Sequence, residues 1–144
     1  MMKRININEI QPGAYKAMLG MEKYIRESGL SITLCELIKV RASQINGCAY
    51  CLDMHTREAL KNGESNNRLF AVAAWKESPL FTEKEKAALQ MTDEITLISK
   101  EGVSDETYNK VLELHGEESL AQIIMQIVII NSWNRVAVST HMVF

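Results

Sequence analysis

Between Leu120 and Ile130 the chain runs LAQIIMQIVII, interrupted only by Gln122 and Gln126. The stretch falls well short of the ~20 apolar residues that a membrane span needs. A helix that is apolar on most sides must be buried on most sides. It is therefore either the central helix of the fold or part of a contact between subunits. We place its start near Glu118 and its end near Met142. Asn131, Trp133, Asn134 and Arg135 follow the apolar run directly, and polar groups in such surroundings need partners. Structural hydrogen bonding is the role expected of them.

The remaining segments read as helices able to pack around this one. Two prolines and seven glycines leave few breaks in the chain. Pro12 suits a first helical turn, and Tyr15, Met18, Leu19, Tyr24 and Ile25 recur near helical spacing before Gly29. Ser31 or Thr33 caps a second helix with Leu34, Leu37, Ile38 and Ile45 on its apolar face. A third runs from Cys48 to about Lys61. Ser65 or Asn66 opens a short one carrying Leu69, Phe70, Ala73 and Trp75, ended at Ser78-Pro79. Thr82-Glu83-Lys84-Glu85 is a capping box for a helix burying Ala87, Met91, Ile95 and Ile98. Ser104 caps another, stopped by Gly116. The fold class is thus all-α: one domain over residues 1–144, a single helical bundle of about six or seven helices. Residues 1–11 are predicted as an extended arm, and 31–62 as a helix pair.

That pair holds the chemistry. In ELIKVRASQINGCAYCLDMH, Cys48 and Cys51 stand in a Cys-x-x-Cys spacing, with His55 four residues further on. At i, i+3 and i+7 all three share one helical face. A free thiol with pKa ~8.5 is mostly protonated at neutral pH, and the thiolate is the nucleophile. Following the Asn46-Gly47 break, Cys48 falls in a first helical turn, where unpaired amides favour an anion. His55 can exchange a proton near neutral pH, and Glu36 can orient it or complete a relay. The spacing lets one sulfur attack a mixed disulfide or sulfenic acid formed on the other. Glu36 has a second reading, because Thr33-x-x-Glu36 also matches a capping box. Arg41 reads either as a surface charge or as the partner of a buried carboxylate, and Cys35 as a small apolar filler.

Glu36, Cys48, Cys51 and His55, with the SQINGC context, resemble the AhpD-like alkylhydroperoxidase branch of the carboxymuconolactone decarboxylase family. Asn131-Ser132-Trp133-Asn134-Arg135 is similar to a second signature of that family. The resemblance implies a thiol-dependent peroxidase working through a dithiol/disulfide with no other cofactor. It implies a peroxide substrate, an external dithiol reductant and assembly into trimers or hexamers. Better-described members carry a histidine between the cysteines where this chain has Tyr50, so no relay role carries over to that position. Lactone decarboxylases of the family lack the Cys-x-x-Cys pair, so this chain looks less like them.

One competing reading of the motif is a zinc site of Cys48, Cys51 and His55 completed by Cys35, His115 or His141; another is thiols that merely pack in a structural helical oligomer. A c-type haem site needs histidine directly after the second cysteine, where Leu52 stands. A net charge of −2 gives no general case for nucleic acid or a membrane surface. Three cysteines make no disulfide framework, and with a polar N-terminus the expectation is a cytoplasmic protein.

Overall fold

The computed structural model of the protein describes residues 2–144, which form helices and turns with no strand among them. The helices are α1 (Ile7–Ile10), α2 (Pro12–Glu27), α3 (Ile32–Asn46), α4 (Ala49–Lys61), α5 (Asn66–Ala71), α6 (Glu83–Thr96), α7 (Ile98–Glu101) and α8 (Asp105–Thr140). Two of them, α1 and α7, are single turns of four residues. Of the other six, α8 breaks at Gly116, which has φ 81° and ψ 167°. The longer helices therefore number six or seven, as the sequence predicts, and the bundle is all-α.

α8 and α3 share the centre. Leu120, Ile123, Ile127 and Ile130 of α8 pack on Leu34, Ile38 and Ala42 of α3 and on Ala88 and Met91 of α6. The opposite side of α3 presents Leu37 and Val40 to Leu69, Val72, Trp75, Phe81 and Leu89. α8 keeps an exposed stripe at Ala121, Val128 and Arg135, spaced by two helical turns, so it is buried on most sides but not all. α3 is more completely enclosed, with Leu37, Ile38 and Ala42 at zero exposure.

The caps explain the boundaries. Ser31 Oγ accepts from Leu34 N–H and starts α3. Thr82 and Glu85 form the predicted capping box of α6. Ser65 and Ser104 cap α5 and α8. Arg68 ties α5 to the start of α6, its Nη2 lying 2.6 Å from Glu85 Oε1 and its Nε 2.9 Å from Glu64 Oε1.

Three expectations are corrected. The arm over 1–11 is not extended throughout, and Met1 lies outside the described residues. Asn6 accepts from Asn8 N–H and so caps one turn of helix at Ile7–Ile10. Arg4 donates to Ser139 O at 2.7 Å and pins the segment against the end of α8. The α6 helix ends at Thr96, because Leu97 leaves helical geometry (φ −102°, ψ 34°), and Ile98 is 58% exposed rather than buried. The helix carrying Leu69 loosens into a 3₁₀ turn at Val72–Ala74, which leaves Phe70 facing solvent.

Gly116 occupies a backbone region that other residues adopt only with strain, and no atom beyond its own segment lies within 4 Å of where a Cβ would stand. Gly116→Ala is therefore expected to lower stability by about 1–3 kcal/mol through the backbone alone. Urea unfolding with an unchanged midpoint would show that the break in α8 does not depend on glycine.

Candidate functional site

The link between α3 and α4 builds the site. Gly47 takes the left-handed conformation (φ 64°, ψ 34°) that closes α3, and Cys48 becomes the N-cap of α4. Cys48 Sγ accepts from Cys51 N–H at 3.2 Å, at the positive end of the new helix. Cys48 and Cys51 are joined by a disulfide, with Cα atoms 5.3 Å apart. Asn46, next to the turn, donates to Asn131 Oδ1 at 3.0 Å and to Asn134 Oδ1 at 2.9 Å. Asn134 Nδ2 returns to Ser43 Oγ at 3.0 Å, and Asn131 Nδ2 donates to Thr96 Oγ1 at 3.0 Å. The second sequence signature thus clamps the cysteine turn to α8.

A cavity of about 540 Å³ opens beside the disulfide, walled by α2, α3, α4 and α8. Each helix contributes one stripe: Tyr15, Leu19 and Glu22; Ile32, Cys35, Glu36 and Lys39; Cys51, Met54, His55 and Glu58; Gln126, Trp133 and Ala137. Tyr15 meets Trp133 edge-on at 5.1 Å. Cys51 lines this cavity, whereas Cys48 packs behind it with Ala137 and beside Tyr50 and Met142. Tyr50 lies at the rim, lining both this cavity and a second one under the N-terminal segment.

Glu36 is 5% exposed and does not belong to a cap, since Ser31 fills that role. Its Oε1 accepts from Lys39 Nζ at 3.2 Å, one turn on, and its Oε2 faces His55 Nδ1 at 3.7 Å. Glu58 Oε2 stands 3.5 Å from the same Nδ1. Neither Glu36 Oε2 nor His55 Nδ1 has a hydrogen-bond partner. Burial pushes the Glu36 carboxyl above its ordinary range, with Lys39 opposing. Burial works against the charge of Lys39 too, but Glu36 and Glu22 raise its pKa overall. Burial, reinforced by the charge of Lys39, lowers His55 to about 3, so its imidazole is neutral at pH 7 despite the nearby carboxylates.

Of the four residues singled out as catalytic candidates, Glu36, Cys51 and His55 line one cavity edge, and Cys48 is bonded to Cys51 behind it. Lys39 and Glu58 join them, and sequence reasoning passed over both; their i, i+3 spacing to Glu36 and His55 was the available signal. Trp133 lines the cavity. Arg41 does not, since it is spent on Asp93 at 2.6 and 3.1 Å, where Trp75 Nε1 also donates. Cys35 is the free cysteine; it is buried, lines the cavity, and burial pushes its thiol up to about 11. In this disulfide form Cys48 and Cys51 offer no thiolate to a zinc ion. The two motif sulfurs bond to each other, and His115 is held at 2.9 Å by Lys84 O.

An all-α bundle with a disulfide at a helix N-cap and a buried carboxylate–imidazole pair beside it is the class of protein that fold and site define. The chain belongs to the carboxymuconolactone decarboxylase family, whose profile matches residues 12–94. It is 44% identical over 139 residues to the uncharacterized protein YdfG of Bacillus subtilis (strain 168), covering 96% of this chain and 95% of that one. The crystal structure of ATU0492 from Agrobacterium tumefaciens superposes with a TM-score of 0.93 at 38% identity, over 97% of this chain and 96% of the other. That protein is of unknown function and is linked to the antioxidant defence protein AhpD. The debrominase Bmp8 shares the fold, with a TM-score of 0.81 at 21% identity over 94% of this chain and 73% of that one.

The depressed His55 pKa has a thermodynamic consequence. A group that is harder to protonate in the folded state contributes stability that is present above its unfolded pKa of ~6.5 and is lost as pH falls toward its folded value. Between pH 6.5 and 4 wild type should lose on the order of 2–3 kcal/mol more than His55→Gln, at about 1.4 kcal/mol per unit. Urea unfolding of both proteins across that window measures the difference. Parallel pH profiles would mean that His55 is not held neutral by burial.

Proposed function

We propose that the protein is a thiol-dependent peroxidase of the alkylhydroperoxidase type, using Cys48 and Cys51 as a redox dithiol with His55 and Glu36 as its proton relay. The observation that carries this reading is the Cys48–Cys51 disulfide, with Cys51 and the buried Glu36–His55 pair lining one cavity. The likeness to ATU0492, linked to the antioxidant defence protein AhpD, supports it.

Cys51 is the attacking sulfur, because it lines the cavity and has His55 one turn beyond it on α4. His55 accepts the thiol proton while the Glu36 carboxylate closes on Nδ1 and stabilises the imidazolium, with Lys39 favouring its ionised form against burial. The thiolate attacks the peroxide O–O bond and takes one oxygen as a sulfenic acid; the other oxygen leaves with the organic group and, with the relay proton, becomes an alcohol. Cys48 then displaces hydroxide from the sulfenic acid, giving the disulfide and, with its own proton, one water. An external dithiol returns the site to the reduced state by exchange. Tyr15, Leu19 and Trp133 give the cavity the apolar wall that suits an organic peroxide. The same reading places the enzyme in the reducing cytoplasm, as a trimer or hexamer, with Leu19 and Tyr24 among the exposed apolar side chains available for contact. Sedimentation tests the assembly against the 16.3 kDa chain.

Peroxide should remove two titratable thiols from the reduced protein and dithiothreitol should restore them, with buried Cys35 unaffected. Loss of no thiol, or of a single one that stays lost, would refute the dithiol cycle. Glu36→Gln should slow peroxide-driven oxidation by a factor on the order of 10²–10⁴ at neutral pH. His55→Gln should act similarly, and the double variant should lose little more, as members of one relay do. An unchanged rate in folded Glu36→Gln would sink the relay.

A further inference from the structure

Glu36, His55 and Glu58 each bring a ligand atom to one point, all within 4.8 Å of one another. His55 Nδ1 lies 3.7 Å from Glu36 Oε2 and 3.5 Å from Glu58 Oε2. Around a tetrahedral ion with bonds of ~2.0–2.1 Å, neighbouring donors stand about 3.3–3.4 Å apart. Two of these separations therefore need only small contractions. The third closes by rotation of Glu58, whose side chain is 47% exposed and free to swing. A second observation points the same way. Glu36 Oε2 and His55 Nδ1 are both buried without a hydrogen-bond partner, in residues that are 5% exposed. Lys39 occupies the other oxygen of Glu36 and leaves Oε2 to the ion. The cavity wall carries a further carboxylate, Glu22, to set against the charge of Lys39.

We propose that Glu36, His55 and Glu58 form a binding site for a borderline divalent cation of the zinc type, and that the bound ion shuts the proton relay. One imidazole nitrogen with two carboxylates selects such an ion over magnesium or calcium, which take oxygen alone. The three residues leave the fourth position open toward the cavity. The ion takes the same two atoms, Nδ1 of His55 and Oε2 of Glu36, through which the relay would pass its proton. Shutting the relay rests on the peroxidase reading; the site itself does not.

The disulfide form of the full chain separates this site from a thiolate one, because both motif sulfurs are already bonded. Titrated with Co(II) and then Zn(II), it should bind one equivalent, seen by calorimetry and by visible d–d absorption, with no thiolate-to-cobalt band in the near ultraviolet. Glu58→Gln and His55→Gln should each weaken binding by about tenfold or more, the scale of losing one ligand or its support. Binding that needs reduction and brings the thiolate band, or an affinity unchanged in folded Glu58→Gln, would overturn the site. For the reduced protein, zinc should slow peroxide-driven thiol loss in wild type, and Glu58→Gln should need about tenfold or more zinc for the same fractional slowing relative to its own metal-free rate. Equal inhibition of both would place the ion on the thiols and refute the relay block. If peroxide oxidises neither protein, the peroxidase reading fails, and the disulfide-form titration still decides the site.

Discussion

The structure hangs on the amide of Asn46. Between α3 and α4 the chain turns with Gly47 and Ala49 exposed but Ser43 and Cys48 buried, and each helix terminus leaves backbone groups that need partners. Gly47 turns the chain with a left-handed residue, and Cys48 N–H returns to Ser43 O at 3.0 Å. What remains is to fix that turn against α8. Asn46 does so through Asn131 and Asn134, themselves tied to Thr96 and Ser43, and Arg135 adds a bond to Asn131 Oδ1 at 2.9 Å. A closed network of this kind holds one geometry, since any slippage leaves a buried amide unpaired. The disulfide inherits its position from it.

The second constraint is the carboxylate of Glu36. An isolated charge at that depth would neutralise itself. Lys39 opposes this from the next turn of the same helix, at 3.2 Å, and the pair needs no help from the tertiary fold to meet. The same burial, reinforced by the Lys39 ammonium, keeps His55 uncharged. The site thus sets a neutral imidazole beside a buried carboxyl group, with a 3.7 Å gap between them. Closing that gap moves a proton preference across the pair, which is what a relay has to do and what a cation at the same atoms would prevent.

Much of this was legible in the sequence because it is local. The capping box at Thr82, the caps at Ser31 and Ser104, the breaks at Gly47 and Gly116 and the shared face of Cys51 and His55 depend on residues within two turns of one another. The Thr33–Glu36 alternative was equally local and could not be decided by pattern. Only the structure shows that Ser31 takes the cap and frees Glu36. Lys39 was illegible for a different reason. A lysine on a helix reads as solvated, and its burial follows from how α2, α4 and α8 enclose that face. Leu19 and Tyr24 show the converse: helical spacing marks an apolar stripe without saying whether anything in the same chain covers it. The turn at Ile7–Ile10 hung on one asparagine cap in a segment with no apolar period to announce it.

The residue between the cysteines shows what the local pattern leaves open. Family members with histidine there invite a relay passing through that position, and this chain has Tyr50. The structure puts Tyr50 on the wall between two cavities, packed beside the Cys48, Cys51 and Ala137 cluster with Met142. The groups able to hold or pass a proton, Glu36, Lys39 and His55, lie along the wall formed by α3 and α4, and none of their contacts runs through the Tyr50 ring. On the proposed reading the carboxylate reaches the imidazole directly, and the imidazole serves Cys51 from one turn away on α4. A ring at position 50 then packs rather than relays. Tyrosine meets that demand with a large ring that packs on the cysteine cluster and lines both cavities. The departure at this position therefore leaves the proposed proton path intact and changes the wall that separates the two cavities.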